Sequence, residues 1–280
     1  MINQIKTVLL LGALTGLMLL VGRFIGGAGG LQVALLFALV MNFGAYFFSD
    51  RIVLAMYRAK EAKKSEYSQL HKIVEDVANK ASVPKPKVFI IPTSTPNAFA
   101  TGRNPAHSAV AVTQGILTLL TNDELRGVLA HEISHVKNRD ILVTTIAATI
   151  AGVISYLAQM AQFAAIFGGG RDDKDNGVLS MLVLAILTPL IAMIIQLAIS
   201  RSREYLADET GARMIKNSSA LASALKKLDV EIKHNPLQFG SPTTSSLFIL
   251  NPFSAKGFVN LFSTHPSTSE RVRRLNSLKF

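Results

Sequence analysis

Apolar residues gather in four long runs, at residues 7–22, 31–48, 141–167 and 178–200, and the chain between them is polar or mixed. A helix crosses a bilayer with about 20 apolar residues, so the third and fourth runs are ample. The first run is short, but Lys6 and Arg23 bracket it and can reach the two interfaces. Polar residues inside the later runs, such as Thr144, Gln159, Thr188 and Gln196, suit helices that face other helices. Two other readings stay open. The polar content of runs three and four would suit buried core helices, although their length argues against it, and run one has the place of a signal peptide, although no A-x-A-like cleavage site follows it.

The links at residues 23–30 and 168–177 are short and Gly-rich, and each reads as the turn of a helical hairpin. Four spans then put the N-terminus, residues 49–140 and residues 201–280 on one side. Of the 29 Lys and Arg, all but Arg23, Arg171 and Lys174 lie in those segments. Many of them, including Arg51, Arg58, Lys137, Arg139, Arg201 and Arg203, stand close to span ends. The positive-inside rule places that side in the cytoplasm. The net charge of +11 therefore reads as topology and headgroup contact. No nucleic-acid motif accompanies it.

Between the runs, helical spacing extends to about residues 56–62 and resumes over 65–81, until Val83-Pro84-Lys85-Pro86 breaks it. Residues 87–91 and 109–113 are β-prone and predict two strands of a small sheet, with turn-rich sequence over 92–107. Thr121 and Glu124 have the spacing of a capping box. The helix they open is expected to run through Asp140 into the third span. Helices are expected over 202–216, 218–234 and 267–278, with loop over 235–264.

The chemistry concentrates in His131-Glu132-Ile133-Ser134-His135. On a helix, residues i and i+4 share one face, so both imidazoles can reach one ion. The chain has no Cys, which excludes disulfides, thiolate sites and Cys nucleophiles, and leaves His and carboxylates as ligands. One zinc ion suits such a set. Glu132 stands next to the same face, where it can take a proton from an attacking water and return one to a leaving amine. No G-x-x-H follows His135, so a third ligand lies elsewhere. His135 precedes the third span by about 9 Å of helix, and Glu204 follows the fourth by about 6 Å. A hairpin of those spans brings Glu204 to the same membrane face, where it can complete the set. Its other reading is an ion pair with Arg201 or Arg203. Asp208, one turn beyond Glu204, and Asp140 are candidates to orient the ligand imidazoles, or are plain salt bridges. His71, His107 and His234 lack metal-ligand spacing and read as surface residues.

Four ordered motifs carry a resemblance. They are Asn97-Ala98-Phe99-Ala100-Thr101-Gly102, His131 to His135 with Asp140, Ser202-Arg203-Glu204-Tyr205-Leu206-Ala207-Asp208, and His265-Pro266-Ser267 with Glu270-Arg271. In these, and in its four spans, the sequence resembles the HtpX branch of the membrane zinc peptidases related to the CAAX prenyl proteases. The resemblance implies zinc on His131, His135 and Glu204, with Glu132 as general base. It implies an endopeptidase of the bacterial inner membrane, with cytoplasmic active site and termini, acting on damaged membrane proteins under stress. Asn97 gains a role in holding the backbone of an extended substrate at an edge strand, and His265 in bonding the oxyanion.

The expected organisation is a mostly α membrane protein with an α+β, zincin-like catalytic domain and a small edge sheet beside the motif helix. An N-terminal transmembrane hairpin spans 1–50 and a second spans 141–200. The catalytic parts are 51–140, with the H-E-x-x-H helix, and 201–280, with the third ligand. A processing peptidase for membrane-anchored peptides is the alternative enzyme. A membrane chaperone with a vestigial site is the alternative without catalysis. The expected partners are polypeptide substrates and the lipid bilayer.

Overall fold

The computed structural model describes residues 2–151, 201–240, 242–253 and 266–280. Run three beyond Ala151, the 168–177 link, all of run four and His265 lie outside the described residues.

Helix α1 covers Ile2–Met56 and is interrupted by non-helical Gly26 (φ −128°) and Gly27 (φ +58°). Its two arms turn back on each other there. The Asn42 amide donates to the Thr15 hydroxyl at 2.8 Å, a contact that a straight helix of about 1.5 Å rise per residue would hold about 40 Å apart. The helix thus doubles back on itself, with glycine supplying the left-handed φ at its turn. Gly26–Met56 is, among the described residues, the one helix long and apolar enough to cross a membrane. It turns Val33, Leu36, Val40 and Phe43 outward, the orientation of a surface that meets lipid rather than a core.

The sheet has four strands rather than two, β1 (Lys60–Glu61), β2 (Lys87–Ile91), β3 (Ala98–Asn104) and β4 (His107–Thr113), in the order β1-β2-β4-β3. β2 and β4 are parallel and the other pairs antiparallel. Helix α1 ends at Met56, the early edge of the expected 56–62 range: Arg58 turns left-handed (φ 52°) and Lys60–Glu61 pairs with Ile90 and Phe89. Tertiary pairing to an open edge overrides the local helical preference. The N-A-F-A-T-G stretch is itself mostly strand, the outer edge β3, and not a turn beside one.

Side chains alternate across the sheet, as the two-residue period of a strand requires. Val88, Ile90, Ala98, Ala100, Val110 and Val112 face a layer of helices. That layer holds α2 (Ser68–Ala81), α4 (Asn122–Lys137), α7 (Ser218–His234) and α8 (Thr268–Asn276). The short α3 (Gln114–Leu119) leads into α4. On the other face, Ile91, Phe99, Ala109 and Ala111 meet the end of α1 at Val53, Leu54 and Tyr57, together with Leu247 and Phe248. Phe248 follows a 3-10 turn over Pro242–Leu247.

Helix α4 opens with the expected capping box, in which the Thr121 side chain accepts from the Glu124 amide and Glu124 accepts from Thr121. It stops at Lys137 instead of feeding the third span. Arg139 adopts φ 56°, Asp140 lies outside helix, and α5 (Ile141–Ala151) begins anew. Helix α6 (Arg201–Ile215) then packs across α4.

Glu124 ties α4 to α7 as well as capping it. It is 6% exposed and accepts from Ser223 at 2.6 Å and from Lys227 at 2.8 Å. Burial alone would raise its pKa, but Lys227, Ser223 and Thr121 outweigh burial and hold the carboxyl at about 2. A carboxyl depressed from about 4.5 stabilises the fold above pH 4.5 and loses that contribution as pH falls toward 2. Glu124→Gln is therefore expected to destabilise the protein by about 2 kcal/mol at neutral pH. In chaotrope unfolding, the gap to the parent should narrow between pH 4.5 and 2.

Candidate metal centre

His131 and His135 stand one turn apart on α4, their rings nearly perpendicular and their Nε2 atoms 3.1 Å from each other. From α6, the Glu204 carboxylate closes the triangle, with Oε1 3.6 Å from His135 Nε2 and Oε2 3.7 Å from His131 Nε2. All three ligand atoms lie within 4.8 Å of one another. Atoms about 2.1 Å from one tetrahedral ion stand about 3.4 Å apart, so the triangle has the size zinc needs. Glu204 thus faces the two imidazoles, and its charge also acts on Arg203 of the same helix.

The far side of each imidazole is held by a carboxylate. His131 Nδ1 lies 2.8 Å from Asp208, and His135 Nδ1 lies 3.0 Å from Asp140. Asp208 is one turn from Glu204, as its spacing suggested. Asp140 arrives by a different route. In a continuous helix a residue five positions on would stand about 140° around the axis; the break at Arg139 swings it back to His135.

Gly211 makes the α4–α6 crossing possible. A Cβ there would come within 2.9 Å of the Ala130 carbonyl carbon and the His131 nitrogen. Gly211 is three residues beyond Asp208, on the same helical stripe as Glu204. The sequence reading passed over it, although a Gly continuing a stripe of carboxylates was the available signal. It also gave Arg271 no role. Arg271 is 0% exposed and clasps Asp208 through Nε at 2.8 Å and Nη2 at 2.7 Å. Its signal was its place beside Val272 and Leu275 on the buried face of α8.

The charges divide the two histidines. Burial, helped by Arg271, lowers the pKa of His131. Its ring is neutral, donates Nδ1–H to Asp208 and presents the Nε2 lone pair, which is the ligand form. For His135, burial pulls downward, but Asp140, Glu204 and Glu132 outweigh it and raise the pKa to about 10. That direction favours a protonated His135 ring, and a cation bound at the two Nε2 atoms takes the place of its proton. Burial and Asp208's neighbours also separate: desolvation would raise that carboxyl, but Arg271 and His131 hold it below the usual range.

Glu132 is 2% exposed. Its Oε2 accepts the Ala100 amide of β3 at 2.8 Å, and its Oε1 has no hydrogen-bond partner among the described residues. Burial raises its pKa to about 8, with Glu204 adding to the shift and His135 opposing it. An orphaned buried carboxylate oxygen beside three converging ligand atoms is a site built for a cation and a polarised water. Asn97 is elsewhere engaged. It is 1% exposed, and its amide donates to the Leu250 carbonyl at 2.8 Å, so the group expected to hold a substrate is spent on the chain itself. His71, His107 and His234 bond Ala62, Asn104 and Val230 and stay apart from the site.

The model of peptidase family M48 matches residues 64–279. This chain belongs to that family. It is 54% identical to a Protease HtpX homolog of Syntrophobacter fumaroxidans over 99% of both chains. With a Protease HtpX homolog of Pyrococcus furiosus it shares 52%, covering 98% of this chain and 95% of that protein. It resembles the crystal structure of S. mikatae Ste24p with a TM-score of 0.52 and 23% identity, covering 98% of this chain. The chain spans 65% of that Ste24p chain, and the likeness concerns the fold. Membership in M48 makes this protein a metalloprotease, and the apolar Gly26–Met56 helix agrees with a membrane one.

Two outcomes follow from this geometry. Gly211→Ala should push α6 from α4, lowering stability by about 1–3 kcal/mol and zinc affinity by about tenfold or more. Gly44→Ala, whose methyl meets nothing within 4 Å among the described residues, should leave both unchanged. Metal must also displace the His135 proton. Calorimetric zinc titration at pH 7–8 in buffers of different ionisation enthalpy should report about one proton released per ion, and less release as pH rises through 10.

Proposed function

We propose that this M48 protein is a zinc-dependent integral membrane endopeptidase that cleaves misfolded or damaged membrane proteins on the cytoplasmic side in stress-related quality control. The observation that carries the chemistry is the convergence of His131, His135 and Glu204 within 4.8 Å, beside the orphaned Glu132 oxygen. Those three residues would hold one zinc ion. Zinc supplies a Lewis acid that polarises the scissile carbonyl and makes water acidic enough to attack near neutral pH.

The protein's own groups do the rest. The Ala100 amide fixes Glu132 through one oxygen and leaves the other to accept the proton of the attacking water. A carboxyl held near neutrality can then pass that proton to the departing amine. Asp208 and Asp140 set the tautomer and aim of the two imidazoles. His265 is assigned to the oxyanion on the strength of the motif around it.

The bacterial inner membrane, four spans and cytoplasmic ends rest on the apolar runs and the Lys and Arg beside them. The N-terminal hairpin over 1–50 and a second over 141–200 divide the catalytic unit into 51–140 and 201–280. The Protease HtpX homologs, similar over nearly the whole chain, support the proteolytic part of the reading.

The test is cleavage of casein and of an unfolded membrane protein by the purified, zinc-loaded enzyme. Glu132→Gln should keep its zinc and lose about 10²–10⁴ of the rate, and chelation should abolish cleavage reversibly. Cleavage that survives in Glu132→Gln would sink the mechanism.

A further inference from the structure

The cavity at the ligands, lined by Glu132, the two histidines, Glu204 and the 246–249 segment, measures about 20 Å³. A single water needs about 10–15 Å³, so this space admits water and excludes a peptide. If the site cleaves polypeptides, as proposed above, some wall of the cavity has to move.

Most of the walls are tied down. α4 and α6 carry the ligands, β3 is paired to β4 along its length, and α5 follows directly on Asp140, which holds His135. Among the described residues, the remaining wall is the segment Ser246–Ile249, which Leu250 follows. It belongs to no sheet ladder, yet it lies along the outer edge of β3 in the manner of an added strand. The Ile249 amide donates to the Ala98 carbonyl at 3.1 Å, and the Asn97 amide donates to the Leu250 carbonyl at 2.8 Å. Arg271 Nη1 donates to the Ile249 carbonyl at 2.7 Å. An extended peptide adding to a sheet edge makes the same kind of backbone bonds.

We propose that Phe248–Leu250 is a strap occupying the place of the substrate backbone on β3, latched by Arg271, and that a polypeptide binds by displacing it. The Ala98 carbonyl, the Asn97 amide and the Arg271 guanidinium are then the groups the strap surrenders to the incoming chain. Two features make the exchange feasible. The bonds are few and can be remade to any extended backbone. The strap's anchors are the buried side chains of Phe248, against Phe99 and Tyr57, and of Ile249, 1% exposed, so side-chain packing sets how readily it leaves. Arg271 joins this latch to the metal site, because the same guanidinium holds Asp208 and through it His131.

The test uses the full, zinc-loaded chain in detergent, with an unstructured casein-derived peptide as probe. Ile249→Ala weakens the anchor and leaves every ligand and the base in the sequence. With its zinc content unchanged, it should lower KM about tenfold. A KM that stays the same or rises overturns the strap. Amide exchange in Glu132→Gln gives a second measurement that needs no change in the strap. Saturating peptide should deprotect the Ile249 amide. Protection that persists, at a peptide concentration that saturates cleavage by the parent, likewise overturns it. Loss of Glu132-dependent cleavage in the parent would instead count against the proteolytic reading, so the two failures are told apart.

Discussion

Helices α4 and α6 cross so closely at Gly211 that one added methyl would meet the backbone of the other helix at 2.9 Å. That approach fixes how far Glu204 and Asp208 stand from His131, because all three lie along the line of contact. A ligand set assembled from two helices is only as good as the distance between their axes, which side chains at the crossing decide. Gly127 does the same on the other side of α4, where a Cβ would come within 2.8 Å of the Leu221 nitrogen of α7. The helix bearing the motif is thus gripped between two backbone contacts, with Glu124 pinned to Lys227 and Ser223 at its start. Its imidazoles are aimed by packing before any ion is considered.

Charge is the second constraint. Glu132, Glu204, Asp208 and Asp140 are all buried, and Arg271 with the two imidazoles stands against them. Isolated buried carboxylates are strongly unfavourable, and groups so placed either pair or take up protons. Asp208 pairs, through the bidentate Arg271 clasp. Glu132 is driven toward its protonated form, and His135 keeps its proton. The arrangement favours added positive charge at the Nε2 atoms, the electrostatic counterpart of the triangle measured there. It separates the roles of the carboxylates as well: the paired ones position, and the unpaired Glu132 oxygen is left for chemistry.

The parts of this site that were legible in sequence depend on local spacing. The i, i+4 histidines, the Thr121–Glu124 capping box and the glycines of the first hairpin are each decided within a few residues. Glu204 was reachable through one further step, the expectation that spans three and four form a hairpin. What was hidden depends on long-range partners or on backbone angles that sequence does not display. The break at Arg139 rests on a positive φ at a residue with no intrinsic preference for it. β1 exists because β2 offers an edge. β3 was hidden inside a turn-rich stretch, because its Ala, Thr and Gly residues carry little β signal. Arg271 looks like any surface Arg until Asp208, 63 positions away, is placed beside it.

Those hidden features join the catalytic half to the N-terminal hairpin. The break at Arg139 lets Asp140 hold His135 while α5 starts at the next residue. α5 packs against the N-terminal hairpin, where Val143, Ile146 and Ile150 gather with Ala45. Thr145 meets Thr101 of β3 at 3.1 Å, and Thr149 donates to the Ser49 carbonyl. Helix α5 therefore touches the hairpin, the edge strand and, through Asp140, a metal ligand. Movement of the hairpin would be felt at His135 and β3 together, since packed interiors shift as units rather than deforming smoothly. The N-terminal hairpin is in this sense part of the site's framework, and a single turn of chain separates α5 from the helix that carries the imidazoles.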